Sequence, residues 1–332
     1  MDDIITLDYG SGGKKSSLLI EKLILPRLFN PALGALGDGA IVDGGEKLAF
    51  STDSFVVDPL FFPGGDIGKL AVCGTVNDLC MCGAEPRYLS CALIIEEGFS
   101  FSRLEKIVDS MAAQCKKAGV QVITGDTKVV EKGKGDGIYI NTAGIGLVRY
   151  PGLSRENLRE GDSVIVSGCV GDHGTAVMLS RSGMMQGDIS SDCASLRELT
   201  EAIFKASDNI RVLRDPTRGG LATTLNEFVQ GGSLGIELAE ELIPVHPQVR
   251  AACDMLGLDA LYCANEGKLA AIVAPEDTET VLEAMRQIPE GRDAAVIGRV
   301  TAEHPGTLTM KTAFGGRRIL QKLAGAQLPR IC

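Results

Sequence analysis

The sequence predicts an α/β (α+β) protein of two domains. Strand-like and helix-like stretches alternate along it. At 332 residues it is long for one core and comfortable for two of about 150 residues each. Tyr150 to Arg159, with Pro151, Gly152 and a charge cluster, reads as a linker, after which strand-like sequence begins afresh at Ser163. The expected divisions are a lead segment with a first helix (1–40), a first α/β domain (41–153), a second (154–318) and a mobile tail (319–332).

In order, Leu48 to Ser51 is a short apolar strand running into Thr52-Asp53-Ser54. Ile67 to Cys82 is small and apolar throughout, a buried helix closed by Gly83 and Pro86. Ser102 and Glu105 have capping-box spacing, followed by Leu104, Ile107, Val108, Met111 and Cys115 at helical spacing until Gly119. Val120 to Thr124 reads as a buried strand delivering Gly125-Asp126-Thr127 at its end, and Ile138 to Val148 as a further strand. The second half offers strands at Ser163–Ser167, Leu269–Ala274 and Ala294–Val300, with helices around His246–Met255 and Thr278–Ile288. No internal repeat is strong enough to read as a duplication.

Composition bounds the function. Forty-three acids against thirty-three Lys and Arg give a formal charge of −10, which argues against nucleic acid or anionic membrane as a partner. No run of eighteen apolar residues appears, and Met1-Asp2-Asp3 is acidic where a secretory signal is basic, so a cytoplasmic protein with reduced thiols is expected. Cys73, Cys80, Cys82 and Cys91 lack paired zinc-knuckle spacing and stand among apolar residues, which reads as buried structural thiols.

Four motifs place aspartate beside a turn or strand end: Asp53, Asp78 in Asn77-Asp78, Asp126 in Gly125-Asp126-Thr127, and Asp215 in Asp215-Pro216-Thr217-Arg218-Gly219-Gly220. Each alone is compatible with a local cap or turn; gathered from several loops, carboxylates are what Mg²⁺ requires. Asp78 lies in a small, apolar stretch, where a buried carboxylate needs a partner or a metal. Gly10-Ser11-Gly12-Gly13-Lys14-Lys15 offers free backbone amides and two cations for a polyphosphate, without being a Walker A loop. The last residue is Cys332. An extended chain over the thirteen residues after Ile319 spans roughly 40 Å, so its thiol reads as sitting on a tether rather than in a core.

Together these motifs resemble the ATP-binding superfamily of aminoimidazole ribonucleotide synthetase, selenophosphate synthetase and thiamine monophosphate kinase, and within it most closely the HypE family of hydrogenase maturation proteins. The carrying residues run nearly the whole chain: Gly10 to Gly13, Ser51 to Ser54, Asp58 to Gly65, Gly68-Lys69-Leu70, Asn77-Asp78, Gly125 to Val130, Gly171-Asp172-His173-Gly174, Asp215 to Gly220, Ala264 to Lys268 and Pro329-Arg330-Ile331-Cys332. The resemblance implies the two-domain fold of that superfamily, with N-terminal strands pairing across a homodimer and a flexible tail. ATP would lie between the domains, under Gly10, Ser11, Gly12 and Gly13. Its Mg²⁺ would be held by Asp53, Asp78, Asp126 and Asp215, with Lys69, Asn77, Gly125, Thr127, Arg218, Gly219 and Gly220 completing the nucleotide site.

The implied reaction is ATP-dependent dehydration of an S-carbamoyl group on Cys332 to a thiocyanate, the source of cyanide for the iron of [NiFe] hydrogenase. The implied partners are the carbamoyltransferase HypF and a HypC–HypD acceptor complex. Lys69 and Lys128 are candidates for phosphate contact; Glu266 and His173 are both candidates for the base that removes the N–H protons, and sequence does not choose between them. His246 and His304, beside prolines, read as ordinary loop residues. A kinase or amide-activating synthetase acting on a free small molecule is the alternative, and there the tail would be irrelevant.

Overall fold

In the computed structural model the described residues are 4–6, 19–30, 47–183, 189–322 and 330–332. The first domain is a four-stranded sheet in the order β1-β4-β2-β3, formed by β1 (Leu48–Phe55), β2 (Ala84–Glu96), β3 (Gln121–Val130) and β4 (Ile138–Val148). Only the β2–β3 pair is parallel. Helices α1 (Ile67–Met81) and α2 (Phe101–Ala118) serve this domain. α1 is apolar all round because it is buried all round: one side meets the sheet, where Thr75 Oγ1 and Thr142 Oγ1 are 2.6 Å apart, and the other meets the second domain. Gly74 is required by this close approach, since a Cβ there would stand 2.9 Å from the Phe55 ring.

Two expectations change here. α2 begins two residues earlier than the Ser102–Glu105 pattern suggests: Phe101 is buried at the first helical position, Ser100 takes the N-cap, and Ser102 Oγ lies 2.9 Å from Ser100 Oγ instead of capping. Gly125-Asp126-Thr127 does not end its strand. Pairing with Tyr88–Glu96 of β2 carries β3 through these poor strand formers to Val130.

The second domain is a seven-stranded sheet ordered β11-β10-β7-β9-β5-β8-β6, from β5 (Ser163–Val166), β6 (Ile210–Arg214), β7 (Gly235–Ala239), β8 (Ala270–Val273), β9 (Ala295–Thr301), β10 (Leu308–Lys311) and β11 (Arg317–Leu320). Helices α3 (Asp172–Ser182), α4 (Arg197–Ala206), α5 (Gly220–Val229), α6 (Pro247–Leu256) and α7 (Thr278–Arg286) accompany it. β11 pairs with β10 from Arg317 to Leu320, so the tail does not start at 319. The two domains share one hydrophobic core, which runs from Leu70 and Val76 through Leu196 and Phe204 to Ile331 and Cys332. The linker adds to it, Tyr150 stacking on Phe204 with centroids 4.0 Å apart. No described helix is long and apolar enough to cross a membrane.

Candidate active site

Side chains alternate along β1, so Ser51 and Asp53 face α1 while Thr52 and Ser54 face away. Ser51 Oγ donates to Asp78 Oδ2 at 2.6 Å, drawing the α1 carboxylate toward the strand. Asp215 joins from the second domain, in the turn that follows β6, and is buried. Burial raises all three carboxyls, and for Asp78 and Asp215 the neighbouring acids add to it. Asp215 is pushed up to about 7 by burial and then by the charges of Asp78 and Asp53. Asp78 is raised by burial and by Asp53, and Asp53 by burial, against the Ser54 amide and the Arg218 guanidinium. Two cations act on this cluster: Arg218, which makes no ion pair among the described residues, on Asp53, and Arg214 on Asp78 and Asp215.

Glu266 is the fourth acid. It is buried, its Oε1 has no hydrogen-bond partner, and burial followed by the charges of Asp215, Asp192 and Asp53 holds it well above the usual carboxylate range. Its backbone is fixed by Asp192, whose Oδ1 accepts from Glu266 N at 3.1 Å and Oδ2 from Gly267 N at 3.2 Å. Next to it, Asn265 ties three turns together: its Oδ1 accepts from Gly171 N, and its Nδ2 donates to the carbonyls of Pro216 and Cys263. Gly219 and Gly220 shape the Asp215 turn. Gly220 has φ +61°, and a Cβ there would lie 2.5 Å from the Leu261 carbonyl.

Cys332 is in this site. Its residue is 9% exposed, against the expectation of a thiol outside the core, and burial together with Glu266 and Asp53 keeps it protonated. Every carbonyl of the last three residues is held. Val56 N donates to Cys332 O at 3.1 Å, and Asp58 N to Arg330 O at 3.2 Å, the spacing of a short antiparallel pairing. Arg181 Nη2 donates to Arg330 O at 2.7 Å while its Nε donates to Asp58 O at 2.8 Å, bridging both strands. His173 Nε2 lies 2.8 Å from Ile331 O and Nδ1 lies 2.8 Å from Ser191 Oγ. A carbonyl only accepts, so Nε2 carries the proton and Nδ1 accepts from Ser191, whose oxygen in turn accepts from Cys193 N. With both nitrogens engaged and burial holding the ring neutral, His173 grips the tail and is not placed as a base.

Comparisons with known proteins identify the family. Residues 36–148 match the N-terminal domain, and 159–311 the C-terminal domain, of AIR synthase related proteins. Carbamoyl dehydratase HypE of Azotobacter vinelandii is 50% identical over 332 residues, covering 99% of this chain and 97% of the relative. The chain belongs to the HypE family of carbamoyl dehydratases. A crystal structure of a HypE in complex with ATP superposes with TM-score 0.95 at 49% identity, covering 98% of this chain and 99% of that one. A HypE from a HypE–HypF complex gives TM-score 0.80 at 46% identity, over 92% of this chain and 99% of that one.

For a HypE-family chain, the residues brought together are Asp53, Asp78, Asp215, Arg218, Glu266, His173 and Cys332. Asp126 and Lys128 are not among them. Asp53 shares a sheet row with Gly125 through Thr142 and Cys91, so Asp126, one residue on, points from the opposite face. It pairs there with Lys128 at 2.8 Å, both largely exposed, and this pairing lowers the Asp126 carboxyl. Asn77 is spent on domain docking: Nδ2 donates to Ala194 O and Oδ1 accepts from Leu196 N. Lys69 Nζ donates to Gly64 O at 2.9 Å. Gly10 to Gly13 lie outside the described residues. Sequence reasoning missed Arg181, Ser191 and Asp192, none of which stands in a motif it singled out. Of the four cysteines read as buried, Cys82 is exposed.

Proposed function

We propose that this chain dehydrates a carbamoyl group carried on its own Cys332 to a thiocyanate, at the expense of ATP, as a hydrogenase maturation enzyme. The observation that carries this is Cys332 itself, docked beside Glu266 and Asp53. The carbamoyl oxygen attacks the γ-phosphorus of ATP and ADP leaves. The carbon–oxygen bond then breaks with its electron pair going to phosphate, both N–H protons leave nitrogen, and S–C≡N remains. Positioning and charge neutralisation supply most of the catalysis of such a phosphoryl step.

Asp53, Asp78 and Asp215 suit Mg²⁺: they are hard oxygen donors, and burial disfavours their ionised forms, a penalty that a bound cation would offset. These three residues would hold it, and it would neutralise phosphate charge. Glu266 is our choice of base. Burial and its acidic neighbours favour its protonated form, and cations on those neighbours favour the carboxylate form that accepts a proton. A diffusible substrate would have to displace Cys332 from this position, which favours the tail as the substrate.

The partner reading follows from the family: a carbamoyltransferase of the HypF type loads Cys332, and a HypC–HypD complex takes the cyano group. Ten free thiols suit a reducing, cytoplasmic setting. A homodimer is supported by the outer face of the first sheet. There Leu48 pairs with Leu147 and Phe50 with Ile145, Leu48 and Phe50 are exposed, and α1 packs on the other face. Asp126 and Lys128 occupy that outer face, so any part they take in the chemistry comes through a second copy.

Intact-mass spectrometry tests the function. Incubation with the carbamoyltransferase, carbamoyl phosphate and ATP is expected to add one carbamoyl group to the peptide bearing Cys332, which then loses one water. Carbamoylation without that loss would overturn the proposal.

A further inference from the structure

A second constellation lies outside the site just described. Cys169, in the turn between β5 and α3, His246, at the N-cap of α6, and Asp293, just before β9, bring one sulfur, one imidazole nitrogen and one carboxylate oxygen within 4.8 Å of one another. We propose that these three residues bind a divalent first-row transition ion of the Zn²⁺ type.

The donors come from three separate elements whose backbones are already fixed. The Cys169 turn is pinned on both sides, Ser167 N donating to Leu269 O at 2.9 Å and Val170 N to Pro244 O at 3.0 Å. His246 is held as its carbonyl accepts from Arg250 N at 3.0 Å, and the residue after Asp293 donates from Ala294 N to Gly291 O at 3.0 Å. Metal binding therefore orders little that is not already ordered. The buried Asp172 lies 3.0 Å from His246 Nδ1, the kind of carboxylate that orients a ligating imidazole and raises its basicity.

The donor types select the ion. Thiolate with imidazole suits zinc and its neighbours, whereas Mg²⁺ and Ca²⁺ want oxygen alone. A Cys169 thiolate and an Asp293 carboxylate, with a neutral imidazole, bring a charge of −2 to match a divalent cation. The nearby cation, Lys268, has its Nζ 3.4 Å from Gly267 O and 3.9 Å from Asp192 Oδ2. An ion here would staple three loop ends beyond the adjacent central strands β5 and β9, including the turn that leads into His173.

Co²⁺ titration of the full chain tests this. One equivalent is expected to give a thiolate-to-cobalt charge-transfer band and tetrahedral d–d bands, and Zn²⁺ is expected to bleach both. The three aspartates bring no sulfur of their own, and a Cys332→Ser background removes the thiol docked in their site. Cys169→Ser should abolish the charge-transfer band, and His246→Ala should weaken Zn²⁺ binding at least about tenfold with unchanged circular dichroism. No band in the unsubstituted chain, or a band of equal intensity in Cys169→Ser, would overturn the assignment.

Discussion

Asp53 and Asp126 stand in adjacent rows of one sheet, each beside a serine or threonine, and the fold gives them opposite fates. Asp53 faces α1, meets Asp78 and Asp215, and has its carboxyl raised; Asp126 faces outward, meets Lys128, and has its carboxyl lowered. The difference is the strand's period of two, and a motif does not carry that information. Inner acids are kept close and uncompensated, which suits them to a cation and a proton; outer ones are paired at an exposed surface.

The sharpest way to break this contrast is to remove the inner acid that we read as the base. Glu266→Gln keeps the shape and is expected to lower single-turnover dehydration by about 10²–10⁴-fold while leaving carbamoylation of Cys332 intact. Loss of carbamoylation would instead assign Glu266 to loading. Asp215→Asn is expected to weaken Mg²⁺-ATP binding strongly, yet to stabilise the metal-free protein above pH 7 by roughly 1–3 kcal/mol, because a buried charge is gone. Destabilisation in urea would contradict the reading of Asp215 as uncompensated.

pH sharpens the same point. The folded-state pKa of Asp215 is raised above its unfolded value to about 7, so its contribution to stability is fully present below the ordinary carboxylate range and is lost as pH rises through about 7. Without divalent ions the Tm should therefore fall across that window. The increment added by Mg²⁺ should grow over it, because protons and metal compete for the same oxygens. A Mg²⁺ increment independent of pH would argue that the ion binds elsewhere.

Outer-face changes should be milder for the single chain. Asp126→Asn is expected to shift monomer stability by no more than about 0.5 kcal/mol, as for an exposed pair. Lys128→Ala mixed with Glu266→Gln provides the remaining test: turnover above either variant alone would mean that a second copy supplies Lys128, and no recovery would leave Lys128 a surface lysine.

Much of this was legible in the sequence. The buried helix over Ile67–Met81, the strand Ile138–Val148 and the Asp215 turn follow from composition and glycine placement. Recognition of Asp53, Asp78, Asp215 and Glu266 came from their motifs. What stayed hidden depends on pairing and on contacts distant in sequence. Asp126 changed face because β2 extends β3 beyond its propensity. Asn77 reads as a ligand until the backbone of Ala194 and Leu196 is brought to it, and Arg181 and His173 acquire a role only when Arg330 and Ile331 arrive.

The grip on the tail has a consequence for the order of events. Arg181, His173, Val56 and Asp58 hold carbonyls, and Arg330 donates from Nε to Val56 O and pairs with Asp136. None of these contacts involves sulfur. The tail is held by its handle, leaving the cargo free to change from thiol to carbamoyl to cyano without altering the hold. Departure is thus timed by whatever competes for the handle, and a partner that captures Arg330 or the Ile331 carbonyl can release the tail at any stage of loading.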